Sequence, residues 1–239
     1  MSLTFVLIDK STVHDAKYGG QLTPIILDKM AGELTVYLNR DVASHWGGSY
    51  LVRQAADPGD LLPGEVACIL QDALPEAPGA IAYHDDAGAD IPTVFLARTL
   101  CNSLMNGSDS VSAVLAHELA EVVGDPACNL WVDDGGGREW AHELCDAVQN
   151  WFYVIHECAV SNFVLPAFFA PSAAGPYDYL GTALTKPLQT SSGGYQIYRT
   201  AGSGEAQVYG EIRPEHRAKK AHASSRTFKR GVRLAPLAG

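Results

Sequence analysis

The run Ser112-Ala-Val-Leu-Ala-His117-Glu118-Leu-Ala-Glu121-Val-Val123 sets an imidazole and two carboxylates on an apolar frame. An α-helix turns once every ~3.6 residues, so side chains four positions apart stack on the same side. His117 and Glu121 can therefore converge on one ion. Glu118 is rotated by roughly 100° from His117, close enough to hold a water but poorly placed as a further ligand from the same turn. Val111, Val114, Leu115, Leu119 and Val122 recur at helical spacing, which gives the segment one stripe for a core. Ser108 and Asp109 offer an N-cap, and Gly124 with Asp125-Pro126 supplies a stop.

The spacing is that of the H-E-x-x-H zinc-binding helix, with Glu121 in place of the second histidine. Zinc accepts carboxylate oxygen at about 2.0–2.2 Å, so Glu121 is a competent ligand. A hydrolytic site needs a third protein ligand and an open position. Glu139, His142, Glu143 and Asp146 share the next expected helix, over residues 139–148, and Glu143 and Asp146 fall on one face at i, i+3. One of that pair would ligate while the other orients His117 or a loop. The order of preference is Glu143, Asp146, His142 and then Asp125, which lies at the end of the first helix. His117 favours zinc; the oxygen donors put calcium or manganese next. A second anionic ligand offsets the ion's charge and weakens its polarising power. That argues for a slow enzyme, another metal or a structural site.

The chain has 239 residues, 47% of them hydrophobic, enough for one large domain or two small ones. No stretch reaches the ~18 consecutive apolar residues of a membrane span. The start, Met-Ser-Leu-Thr-Phe-Val-Leu-Ile, lacks the pattern of a secretory signal, so a cytoplasmic location is expected. Five cysteines without a C-x-x-C pair read as free thiols rather than a disulfide framework. Residues 213–233 hold eight of the 17 Lys and Arg and one acid, leaving 9 basic against 26 acidic residues elsewhere. Residues 213–239 accordingly read as a flexible basic tail, able to meet nucleic acid or an acidic protein surface, or simply to solubilise the chain.

Strands are expected at 3–8, 49–54, 65–70, 80–84 and 93–97, with a helix over 22–38 before them and the His117 helix after. Beyond it the chain turns loop-rich, with strands at 151–155 and 160–165 and a hairpin from 195–198 and 207–209. This order gives an α+β fold over residues 1–212: a mixed sheet, a central metal-binding helix and a loop-rich C-terminal part. Residues 92–97 are expected at the sheet edge, where an extended peptide could add as a strand. His84 could enter the cleft, although a histidine ending a strand more often lies at the surface or in a hydrogen bond. Tyr177, Tyr179 and Tyr195 are candidates to stabilise an oxyanion.

His117-Glu-Leu-Ala-Glu121-Val-Val-Gly-Asp125-Pro126, then Gly137-Arg-Glu-Trp-Ala-His-Glu143-Leu-Cys-Asp146 and Val160-Ser-Asn-Phe-Val-Leu-Pro166, resemble a diffuse group of zincin-like proteins. That group carries H-E-x-x-E, an Asp-Pro turn and an acidic Glu-x-x-Asp segment; it includes secreted bacterial and plant proteins and phage or prophage proteins. With Gly79-Ala-Ile-Ala-Tyr-His84 upstream, the look is closest to the phage-type members, over roughly residues 65–200. The resemblance implies a metalloprotease-like fold with His117 and Glu121 on the ion and Glu118 as general base. The resulting expectation is a zinc-dependent peptidase with a protein or peptide substrate, active in virion maturation or host entry. The alternatives are a non-catalytic, metal-stabilised structural or virion-associated protein and a metal-free binding module.

Overall fold

The computed structural model describes residues 2–85 and 91–211; the basic tail at 213–239 lies outside them. Five strands, β1 (Ser2–Asp9), β2 (Ser49–Ala55), β3 (Val66–Gln71), β4 (Ala82–Asp85) and β5 (Thr93–Ala97), form one sheet in the order β2-β1-β3-β5-β4. The first four in that order are mutually parallel, and β4 runs antiparallel to β5. Phe5-Val6-Leu7-Ile8 in β1 is wholly buried, as a parallel strand covered on both faces requires. Successive side chains point to opposite faces: Phe5 and Leu7 join the main core, while Val6 and Ile8 pack with Ala67 in a smaller one.

Helix α1 (Pro24–Val36) starts at Pro24 behind Thr23, whose side chain accepts from Ile26 N at 3.4 Å. The predicted end at Leu38 is overrun: a π-helical turn, Tyr37–Val42, leads into α2 (Ala43–Trp46). That turn holds Asp41, 1% exposed, which accepts from Arg40 at 2.6 and 2.8 Å, from the Tyr153 hydroxyl at 2.6 Å and from the Tyr179 hydroxyl at 2.8 Å. The widened turn lets one carboxylate gather three partners.

Helix α3 (Val111–Gly124) packs against β4 and β5. Its N-cap is Ser110, accepting from Ala113 N at 3.2 Å, rather than Ser108 or Asp109. Every residue from Val111 to Val122 is buried except His117. The expected single apolar stripe is therefore too narrow a description; α3 is enclosed on nearly all sides.

The chain after α3 is richer in strands than its glycines suggest. β6 (Trp131–Asp133) and β7 (Arg138–Ala141) form a hairpin, and β10 (Tyr195–Thr200) and β11 (Glu205–Tyr209) complete a four-stranded antiparallel sheet in the order β11-β10-β7-β6. β8 (Phe152–Ile155) and β9 (Cys158–Ser161) pair separately. Ser112 Oγ donates to Ala159 O at 2.7 Å, tying α3 to β9. The helix expected over 139–148 does not form. Gly135 and Gly137, at φ 71° and 92°, close a turn, and β7 takes ladder bonds from β6 on one side and β10 on the other. Only Asp146–Val148 winds, as one 3-10 turn.

The architecture is thus mixed α+β. The expected sheet edge is corrected: β5 is interior, between β3 and β4, and β4 is the last strand on that side among the described residues. Cys68, Cys101, Cys128, Cys145 and Cys158 are all free and buried. No described helix is long and apolar enough to cross a membrane.

Candidate metal centre

Three side chains from two elements meet at His117, the one partly exposed position between Val111 and Val122 of α3. His117 Nε2 lies 3.0 Å from Glu121 Oε1 and 3.2 Å from Asp146 Oδ1. The two carboxylates are buried, at 0% and 1% side-chain exposure, and the imidazole keeps 13%. Around a tetrahedral zinc with bonds of about 2.0–2.2 Å, neighbouring donor atoms stand roughly 3.3–3.6 Å apart. The observed separations are close to that, and one nitrogen with two carboxylate oxygens is a donor set zinc accepts. Burial by itself lowers the His117 pKa, but the charge of Glu121, hydrogen bonds to Asp146 and Glu121, and the charge of Glu118 raise it to about 10. If both carboxylates are ionised, their charge at this point is answered by a proton on the ring or by a metal.

Asp146 reaches the centre because its turn is clamped from behind. Val164 N donates to Leu144 O at 2.7 Å, Val148 N to Cys145 O at 3.0 Å, and Ser191 N and Oγ donate to Ala147 O at 2.9 and 2.8 Å. Gly194 lies so close that a Cβ there would stand 2.2 Å from Ala147 O. Apart from the Val148–Cys145 bond these contacts are long-range and give no local sequence pattern.

Glu118, turned by roughly 100° from His117 around the helix, faces His84 on β4. Its Oε2 lies 3.2 Å from His84 Nδ1, and Glu121 Oε2 lies 3.7 Å from the same nitrogen. The opposite ring nitrogen, Nε2, is 3.1 Å from Asp125 O. A carbonyl only accepts, so Nε2 carries hydrogen and Nδ1 is the atom turned to the acids. Burial lowers the His84 pKa, yet Cys128 and Glu118 outweigh it and the net shift is well upward. Glu121 therefore stands between two groups of donors, His117/Glu121/Asp146 and His84/Glu118/Glu121, whose ligand atoms lie within 4.8 Å of one another in each.

His117, Glu118 and Glu121 are brought together as their helical spacing anticipates. Of the downstream candidates Asp146 arrives, whereas Glu143, ranked ahead of it, is buried on the turn after β7 and belongs to neither group. The i, i+3 argument for the pair lapses with the helix that would have carried them. The His142 ring stacks on Phe169, centroids 4.2 Å apart, and meets Trp46 edge-on at 5.3 Å. The Asp125 carboxylate accepts from Asn129 N and Leu130 N, both at 3.0 Å, and so shapes the turn after α3. The Tyr177 and Tyr179 hydroxyls donate to Ala173 O and Asp41 Oδ1, and Tyr195 packs in the small core of the second sheet. His84 is buried and hydrogen-bonded, one of the two ordinary outcomes expected of a histidine ending a strand.

Comparison of the chain with protein-family models, curated proteins and solved structures finds no significant match.

Proposed function

We propose that this chain is a zincin-like, zinc-dependent peptidase in which His117, Glu121 and Asp146 hold the ion and Glu118 moves the proton. The observation that carries the reading is the meeting of His117 Nε2 with two buried carboxylate oxygens at 3.0 and 3.2 Å. A bound zinc supplies Lewis acidity: it makes water nucleophilic near neutral pH and polarises a carbonyl. Glu118, next to His117 in sequence and sharing His84 with Glu121, is the side chain to take a proton from the attacking water and return it to the leaving amine. The partly exposed His117 ring marks the side from which substrate and ion enter. β4, antiparallel and packed on α3, is the strand along which an extended peptide would align.

One observation favours a metal-stabilised, non-catalytic scaffold as the second reading. Glu118 is 2% exposed and already engaged by His84. Wild type and Glu118→Gln, each given one equivalent of zinc, are compared on a mixed peptide library. Cleavage by wild type alone, with that equivalent bound by both, supports the peptidase. Cleavage by neither, with zinc raising the melting temperature of both, supports the scaffold.

A further inference from the structure

We propose a second divalent-cation site, formed by His84 Nδ1, Glu118 Oε2 and Glu121 Oε2, in which Glu121 bridges to the His117 centre and whose filling removes Glu118 from proton transfer. The inference rests on the reading of the His117 centre given above and adds its regulation.

The donor atoms are set for an ion. His84 Nδ1 stands 3.2 Å from Glu118 Oε2 and 3.7 Å from Glu121 Oε2, bracketing the roughly 3.3–3.6 Å between donors around tetrahedral zinc. All three side chains are buried. The ring is held as metal-binding imidazoles generally are, with its remote N–H donated to a backbone carbonyl, here Asp125 O at 3.1 Å. That bond fixes one proton on Nε2 and leaves Nδ1 facing the acids, where an ion would take the place of the Nδ1 proton.

Glu121 divides its carboxylate between the two positions. Oε1 faces His117 at 3.0 Å while Oε2 faces His84 at 3.7 Å. A carboxylate shared in this way fits ions about 3.5–4 Å apart, the spacing of two-metal hydrolytic sites. A second divalent ion at this position coordinates Glu118, the carboxylate that would serve as base. Excess metal would then silence the centre.

The test is zinc titration of metal-free protein by calorimetry, with bound metal counted after gel filtration, for wild type, His84→Asn and His117→Asn. Two ions per wild-type chain are expected, the second bound more weakly, with His84→Asn retaining only the tighter. One ion per wild-type chain, abolished by His117→Asn and untouched by His84→Asn, would overturn this inference and leave the first centre standing. No bound zinc would overturn both. Should His84→Asn fail to fold, Mn2+ added to wild type decides by electron paramagnetic resonance. An exchange-coupled pair supports the bridge; isolated Mn2+ at two equivalents refutes it.

Discussion

His117 Nε2 stands 3.2 Å from Asp146 Oδ1, although one side chain leaves the middle of α3 and the other a single 3-10 turn beyond β7. The contact joins the helix to the loop-rich half of the chain. It brings one imidazole nitrogen and two carboxylate oxygens together, where the helix alone supplies one of each.

Asp146→Asn should lower zinc affinity by about 100-fold or more, as loss of a ligand outweighs the 10–100-fold typical of outer partners. Glu143→Gln should stay near the wild-type value. Calorimetric titration of both variants checks the pair, and the reverse ranking would restore Glu143 as third ligand.

Gly194→Ala places a methyl group 2.2 Å from Ala147 O. Backbone must shift, at a cost of roughly 1–3 kcal/mol by the usual scale of overpacking. Because the displaced segment carries Asp146, zinc affinity should fall together with the urea midpoint. A stability loss with unchanged affinity would show that the Asp146 turn is held independently of Gly194.

Asp41→Asn weakens the acceptor for Arg40, Tyr153 and Tyr179, and should cost roughly 2–4 kcal/mol as a buried, charge-assisted network. Burial raises the Asp41 pKa, but Arg40 and then the two tyrosine hydroxyls pull it below the ordinary 3.8. A depressed folded value means the contribution is present above pH 3.8 and fades as pH falls through the folded pKa. The stability gap between wild type and variant should therefore narrow only in acid, read from urea melts across the acid range.

In metal-free protein His117 works at the alkaline end. Its folded pKa of about 10 exceeds the ordinary 6.5, so its stabilisation is fully present below 6.5 and is lost as pH rises through about 10. With chelator present, wild type should lose its advantage over His117→Gln along that limb. A constant gap would mean that the ring is not held as a cation by Glu121 and Asp146.

Local pattern in the sequence was enough for the first five strands and for α3, because each is a short apolar run or a helical repeat bounded by turn residues. It was also enough for His117, Glu118 and Glu121, since one helix fixes their relative directions. β6 and β7 escaped because Asp133–Gly137 reads as loop, and strand identity there comes from pairing with β10, far along the chain. Glu143 was preferred over Asp146 on a helical face that does not exist. The approach of His84 to Glu118 carries no periodic signal and appears only when β4 is laid on α3.

The sequence by itself determined which side chains share α3 and that an imidazole lies one turn from a carboxylate, because helical geometry is local. Tertiary structure decided that Asp146 completes the first donor set, that β4 rather than β5 ends the sheet, and that His84 faces Glu118. Those relations depend on sheet order and on loop contacts between distant segments, which no spacing within a single element encodes.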